Sequence, residues 1–224
     1  MNHAISLPTR AAFFREALGV LELVRRRRPD RRWTARHRGD GRPVVVIPGF
    51  LAGDSSTICL RSALDAAGYE AHGWGLGANR GATADLLDRL GDRIERIGEP
   101  VVLIGWSLGG IYAREFAKLR PAAVERVITL GSPFSGDPRA NHAWRLYEWV
   151  NGHAVDNPPI RVDRAAKPPV KTIALWSKED GIVAPACARG LPDEADHRIM
   201  VDCRHMGFTT SPAALDAIFS ALAY

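Results

Sequence analysis

The pattern of hydrophobic and polar positions along this chain alternates between segments typical of β-strands and segments with the spacing of α-helices. A continuously apolar run at residues 44–47, in PVVVIPGF, is typical of a short strand that is covered on both faces. Similar signals predict further strands at residues 70–74, 101–105, 125–131, 171–177 and 197–202. Helical spacing predicts helices at residues 9–25, 56–68, 81–97 and 108–119, and a last helix that Ser211 caps.

The alternation of strands and helices predicts an α/β fold, with a mostly parallel sheet covered by helices on both faces. Residues 1–42 are expected to form an N-terminal helix, capped by Thr9, and a basic linker, and residues 43–224 a single domain. The long stretch at about 134–169 interrupts the rhythm, with aromatic residues at roughly helical spacing. Two interpretations stay open for it: a helical excursion packed on the sheet, or a small cap or lid over a substrate cleft.

Composition favours an ordinary globular protein. The chain has 224 residues, of which 46% are hydrophobic, and a net charge of +5. Much of the excess charge lies in RRRRPDRRW, residues 25–33, which we interpret as a solvated helix end and linker. Weak peripheral contact with an anionic membrane is the open alternative, whereas no nucleic-acid motif accompanies the cluster. The oligomeric state is open.

Two absences bear on location and cofactors. The sequence has no apolar run of 18 residues and no secretory signal at its start, so a cytoplasmic protein, with membrane association left open, is expected. The cysteines Cys59, Cys187 and Cys203 have no C-x-x-C spacing. Neither a zinc site nor a disulfide scaffold is therefore expected, and a bridge between Cys187 and Cys203 stays open. No metal or organic cofactor is implied.

GWSLG, residues 105–109, carries the strongest chemical signal. It matches the G-x-S-x-G pattern between a predicted strand and a predicted helix, the context that a nucleophile elbow requires. A serine at the tip of so sharp a turn needs a strained backbone, and glycines at 105 and 109 avoid collisions on either side. Ser107 is therefore the candidate nucleophile.

A serine hydroxyl is a weak nucleophile unless a base accepts its proton. Of the seven histidines, His205 is the best placed, because it follows the last predicted strand and precedes the final helix. The base in turn needs an acid to hold its tautomer. Asp180 follows the strand at 171–177 in a tight Asp-Gly turn, with Glu179 as its nearest rival and Asp202 too close to His205 along the chain.

An acyl-transfer site also needs backbone N–H groups for the developing negative charge. The amide of Leu108 follows the nucleophile, and IPGF at residues 47–50 makes Phe50 the second expected donor, with Leu51 as the backup. Apolar and aromatic side chains are expected to bind the substrate. They are Leu51, Trp144, Tyr147 and Trp149.

Together, IPGF, GWSLGG, LGSPF, SKEDGIVAP and RHMGF resemble the α/β-hydrolase family, in the branch of bacterial lipases and esterases. The resemblance covers roughly residues 43–224 and keeps the order Ser, Asp, His. It implies the α/β-hydrolase fold, with Ser107 as nucleophile, Asp180 as orienting acid and His205 as general base. It also implies the amides of Phe50 and Leu108 as oxyanion donors.

The chain departs from the family in two places. Pro48-Gly49 stands where many members have His-Gly, and the front is short, so that the first antiparallel strands are missing or replaced by residues 33–42. The expected activity is hydrolysis of a carboxylic ester, with a small acyl ester or a lipid as substrate. The alternatives are acyl transfer or thioester cleavage by the same triad, and a non-catalytic hydrolase fold that binds an apolar ligand.

Overall fold

The computed structural model describes residues 7–16, 37–160, 162–163 and 166–224. Residues 10–16 are helical, and Oγ1 of Thr9 accepts a hydrogen bond from the Ala12 amide at 3.2 Å, as expected of an N-cap. The rest of the helix predicted over residues 9–25, the arginine cluster at 25–33 and most of the linker lie outside the described residues.

The described residues form a six-stranded sheet in which every neighbouring pair is parallel, in the order β2-β1-β3-β4-β5-β6. The strands are β1 (Pro43–Ile47), β2 (Glu70–Gly73), β3 (Val101–Trp106), β4 (Val124–Leu130), β5 (Lys171–Trp176) and β6 (His197–Met200). Residues 37–42 add no strand at the front of the sheet. The predicted parallel α/β architecture is confirmed, and the loops after these strands meet at one edge.

Helices connect the strands and cover both faces of the sheet. They are α1 (Ile58–Ala67), α2 (Leu86–Glu95), α3 (Leu108–Leu119), α4 (Trp144–Asn151), α5 (Pro185–Arg189) and α6 (Pro212–Ala223). Short 3-10 turns occur at Asp54–Thr57, Pro121–Ala123 and His205–Thr209. No helix among the described residues is long and apolar enough to cross a bilayer.

The core is divided by the sheet into two layers. In β1, Val44 and Val46 pack into one layer, while Val45 and Ile47 pack into the other, and none of them is exposed. Successive side chains of a strand point to opposite faces, so a strand with helices on both sides is apolar at every position. This is the physical basis of the uninterrupted apolar run in PVVVI.

Three local predictions differ from the structure. Helix α2 begins five residues later than predicted, and Gly81, the first residue of the predicted helix, has φ +118°, outside helical geometry. Helix α5 was not predicted, since five residues carry too little periodicity to detect. Beyond Met200 the predicted last strand does not continue.

All three cysteines lie among the described residues, and none forms a disulfide. The open possibility of a bridge between Cys187 and Cys203 is thereby resolved against the bridge. Burial, followed by the charge of Asp180, raises the pKa of the Cys203 thiol to about 12, so this cysteine stays protonated at neutral pH.

The stretch at 134–169 contains α4 and is otherwise irregular where the structure describes it. Its first part pairs with the segment after β5: the His142 amide donates to the Ile182 carbonyl at 2.9 Å, and the Ala184 amide donates to the Ala140 carbonyl at 3.1 Å. These bonds fix the excursion over the carboxyl edge of the sheet.

Candidate active site

Ser107 lies at a sharp turn between β3 and α3. Its φ of +54° and ψ of −120° form a conformation that side-chain-bearing residues rarely adopt. Its amide donates to the Leu130 carbonyl at 2.8 Å, and its carbonyl accepts from the Gly110 amide at 3.0 Å. The turn is thus held from both sides, which keeps the strained serine in place.

The glycines around Ser107 are required by close packing. A Cβ on Gly105 would lie 2.3 Å from Cα of Gly110, and a Cβ on Gly109 would lie 2.4 Å from the Ile47 carbonyl oxygen. A Cβ on Gly110 would lie 2.0 Å from Oγ of Ser132, which explains the third glycine of the motif. Helix α3 therefore begins in direct contact with β1, β3 and the loop after β4.

His205 and Asp180 form a buried pair. Nδ1 of His205 lies 2.8 Å from Oδ2 of Asp180, and the two side chains are 3% and 0% exposed. Oδ1 of Asp180 accepts hydrogen bonds from the amides of Ile182 and Val183, at 2.9 Å and 2.8 Å. The carboxylate is held by its own loop, and its second oxygen is left to orient the imidazole.

The rival acids do not take this place. Glu179 has a half-exposed side chain that faces Arg15 at 3.9 Å. Asp202 is exposed. Only Asp180, of the carboxylates considered from the sequence, contacts His205.

His205 lies against the elbow. The indole Nε1 of Trp106, the residue before Ser107, donates to the His205 carbonyl at 3.2 Å, and the two rings are 5.8 Å apart. Residues that are 99 positions apart in sequence are thereby brought together. The structure thus brings the elbow, the histidine and the aspartate to the same carboxyl edge of the sheet.

The pKa of His205 is raised above its ordinary value by competing effects. Complete burial acts to lower this pKa, but the charge of Asp180 and the hydrogen bond to it act in the opposite sense and prevail, with a further contribution from Glu16. The site therefore favours the imidazolium, the form that a general base adopts once it has accepted a proton.

The loop after β1 places Phe50 beside the elbow. Among the described residues, the amides of Phe50 and Leu108 donate to no protein acceptor. The Leu51 amide, by contrast, donates to the Asn79 carbonyl at 2.7 Å. Phe50 and Leu108 are therefore available as oxyanion donors, and Leu51, the backup, is not.

Asn79 is a supporting residue that the sequence did not reveal. Its side chain is fully buried, and Nδ2 donates to the Pro48 carbonyl at 2.8 Å. Its backbone also binds the same loop, because the Asn79 amide donates to the Ala52 carbonyl at 2.8 Å. Asn79 thus holds the loop that carries Phe50, and no motif around it could have indicated this contact.

A cleft opens over Ser107 and encloses about 690 Å³ of space, which includes open solvent at its mouth. The predicted site residues that line it are Phe50, Ser107, Leu108, Trp144 and Tyr147. Further apolar walls come from the excursion and from the segment after Asp180; they are Val155, Pro158, Ile160, Val162, Ile182 and Val183. The cleft therefore suits an apolar group next to the serine.

Two residues expected to bind substrate do not line this cleft. Trp149 is 81% exposed, because it lies two positions beyond the buried Tyr147 and hence about 200° around the helix. Leu51 has φ +59° and is 50% exposed, since the turn of the loop directs it outward. The assignment of these two residues to substrate binding is corrected accordingly.

Glu16 is a further contact that the sequence did not reveal. It lies in the N-terminal helical segment, is 3% exposed, and accepts hydrogen bonds from the backbone of the loops that carry Asp180 and His205. A single glutamate in an amphipathic pattern gives no signal of such a contact. Only the folded chain brings residue 16 to this edge of the sheet.

Comparisons with known proteins bear on the fold. No protein-family model matches the chain, and no curated protein matches it in sequence. Solved structures do match, among them the Bacillus licheniformis lipase BlEst2, with a TM-score of 0.60, 20% identity, and coverage of 84% of this chain and 94% of that chain.

Two other structures give the same result. MGS-MChE2, an alpha/beta hydrolase enzyme from a lagoon-sediment metagenome, has a TM-score of 0.58 and 23% identity, over 83% of this chain and 91% of its own. The naproxen esterase of Bacillus subtilis has a TM-score of 0.56 and 17% identity, over 84% and 85% of the two chains. The protein therefore has the α/β-hydrolase fold.

Proposed function

We propose that this protein is a serine hydrolase that cleaves carboxylic esters through an acyl-enzyme intermediate. The observation that carries the proposal is the hydrogen-bonded pair of His205 and Asp180, packed against the strained turn that presents Ser107. A buried, oriented histidine beside a half-buried serine on an elbow is the arrangement that nucleophilic acyl chemistry needs.

Each residue has a defined role in the proposed reaction. Oγ of Ser107 attacks the acyl carbonyl while His205 takes the serine proton, and the amides of Phe50 and Leu108 donate to the oxyanion. His205 then gives the proton to the leaving alkoxide. Water, deprotonated by the same histidine, attacks the acyl-enzyme, and its proton returns to Ser107 as the acid departs.

The lining of the cleft supports an apolar acyl group. Trp144, Ile160 and Val183 are among the side chains around Ser107, whereas charged side chains are absent from the lining among the described residues. An apolar wall stabilises a hydrocarbon chain by excluding water, and it offers no ion pair to a charged substrate. Esters of uncharged acids are therefore the proposed substrate class.

The test is a panel of nitrophenyl esters of increasing acyl length, with wild-type protein and the Ser107→Ala variant. Turnover by the wild type and its loss in the variant are expected, and Ser220→Ala, which changes an exposed serine bonded to its own helix, is the matched control. A fluorophosphonate should attach to Ser107, as located by peptide mass spectrometry. A folded wild type with neither turnover nor adduct would overturn the proposal in favour of a ligand-binding hydrolase fold.

The same panel separates hydrolysis from its alternatives. Added short alcohols would be converted to new esters by an acyltransferase, and acyl thioesters would be preferred by a thioesterase. A hydrolase should release mainly the free acid from an oxygen ester under these conditions.

A further inference from the structure

The carboxylate of Glu16 joins two loops that are distant from it in sequence. Oε1 accepts from the amides of Gly181 and His205, both at 2.9 Å, and Oε2 accepts from the Met206 amide at 3.1 Å. These partners lie 165, 189 and 190 positions further along the chain. One of them follows Asp180 directly, and another is His205 itself.

We propose that Glu16 is a positioning residue that sets the relative placement of the Asp180 and His205 loops and thereby aligns the catalytic pair. The inference rests on the proposed function, because the pair is catalytic only if Ser107 is the nucleophile. Oε1 of Glu16 accepts from one amide of each loop, so both amide nitrogens are held 2.9 Å from the same oxygen. The two loops are thereby held close to each other. The sheet alone does not do so, since both loops begin beyond the ends of their strands.

The helical segment is fitted closely to this place. A Cβ on Gly181 would lie 2.4 Å from the Ala12 carbonyl oxygen and 3.0 Å from Cγ of Glu16, so only glycine allows the helix so near. On the other side, Nε2 of His142 lies 2.8 Å from the Pro8 carbonyl, and its ring is 4.9 Å from that of Phe13. The N-terminal segment therefore contacts the loop that carries Asp180, the loop that carries His205, and the excursion at 134–169.

The charge of Glu16 has a second consequence. The charged groups that act on the pKa of His205 are Asp180 from the loop after β5 and Glu16 from the N-terminal segment. The thiol of Cys203, two residues before His205 along the chain, carries no charge at neutral pH. The charge of Glu16 acts to raise the pKa of His205. A negative charge beside the histidine stabilises the imidazolium that forms when Ser107 gives up its proton.

Two substitutions separate placement from charge. Glu16→Gln keeps an oxygen for the Gly181 and His205 amides but removes the charge, so the acid limb of the kcat/KM profile should move to lower pH. Glu16→Ala leaves all these amides without an acceptor. Displacement of the loops should then lower kcat by about 100-fold, with little change in KM, because Glu16 does not line the cleft.

Two control substitutions test whether the expected effects are specific to Glu16. Glu99→Gln makes the same chemical change at an exposed site that precedes β3, at the opposite edge of the sheet. Arg15→Gln removes only the exposed partner of Glu179 on the same helical segment. Both controls should leave kcat/KM and its pH profile unchanged.

The His205 titration, followed by NMR of the imidazole carbon-bound protons, provides a readout without substrate. Glu16→Gln should lower the measured pKa of His205, and the controls should not. Unchanged kcat in folded Glu16→Ala protein would overturn the proposal. If Glu16→Ala failed to fold, an unchanged His205 titration in folded Glu16→Gln protein would overturn it, because the Glu16 carboxylate would then not act beside His205. If the wild type turned over no ester, the proposed function would fail, and the titration would still decide whether Glu16 acts on His205.

Discussion

Asp180 makes contacts within its own loop and a further contact to the histidine of the proposed catalytic pair. One of its oxygens closes the turn of its own loop, and the other holds Nδ1 of His205 at 2.8 Å. The sequence offered two interpretations, a residue that shapes an Asp-Gly turn and an acid that orients the base. At the residue scale the structure supports both, because a carboxylate has two oxygens and each has a separate partner.

Asp180→Asn should lower kcat on nitrophenyl esters by ~10⁴-fold with little loss of stability. The asparagine oxygen can still accept from Ile182 and Val183, while its NH2 group would face Nδ1 of His205. The imidazole would then carry its proton on Nε2 and could not accept one from Ser107. Glu179→Gln is the control, and a similar loss there would restore Glu179 as the acid.

The pH dependence should follow His205. Because the pKa of His205 is raised and the base must be neutral, kcat/KM should rise with a midpoint above the ordinary histidine value of about 6.5. A stopped-time assay of kcat/KM from pH 5 to 9 measures this limb. A midpoint below that of a free histidine would contradict the assignment.

The same shift predicts the sign of the stability change. A group whose pKa is raised on folding stabilises the protein fully below its unfolded pKa, and this contribution is lost as pH rises through the folded pKa. The difference in Tm between wild type and His205→Gln should therefore be larger at acid than at alkaline pH. Thermal unfolding followed by circular dichroism provides the comparison.

At the scale of elements, the elbow joins β3 to α3 by contact of backbone with backbone. Gly109→Ala would place a methyl group 2.4 Å from the Ile47 carbonyl, and that backbone belongs to a central strand that cannot move aside. We expect destabilisation of about 3 kcal/mol, which is a fall in Tm of about 6–12 °C. The measurement is thermal unfolding.

Gly91→Ala is the matched control. Gly91 lies within α2, and its added Cβ would meet Phe116 and Arg120 at ordinary contact distances of 3.5 Å and more. Alanine should stabilise the helix there by about 0.5–1 kcal/mol. Equal effects of the two substitutions would show that glycine at 109 is not required by packing.

At the scale of the whole molecule, the cleft is made by segments far apart in the chain. The loop after β1, the elbow, the excursion and the segment after β5 each contribute to its wall. Trp144 lies on the side of α4 that lines the cleft, whereas Trp149, on the same helix, is exposed to solvent. The two tryptophans therefore offer a direct test of how the cleft selects its acyl group.

Trp144→Ala should lower kcat/KM for a long acyl ester by about tenfold, through lost apolar contact, and affect the acetate ester less. Trp149→Ala should leave both rates unchanged. Comparing octanoate and acetate nitrophenyl esters measures the difference. If Trp149→Ala changed the preference and Trp144→Ala did not, the acyl group would bind outside the cleft described here.

What the sequence determined by itself was the part encoded locally. Apolar period, glycine positions and capping residues specified the strands, most helices and the elbow, because each depends on neighbours within a few residues. Only the tertiary structure decided which distant groups meet: the outward direction of Leu51 and Trp149, the support of the Phe50 loop by Asn79, and the contact of Glu16 with the His205 loop. Such contacts depend on how the elements pack, and a short-range pattern carries no record of partners that lie 165 positions away.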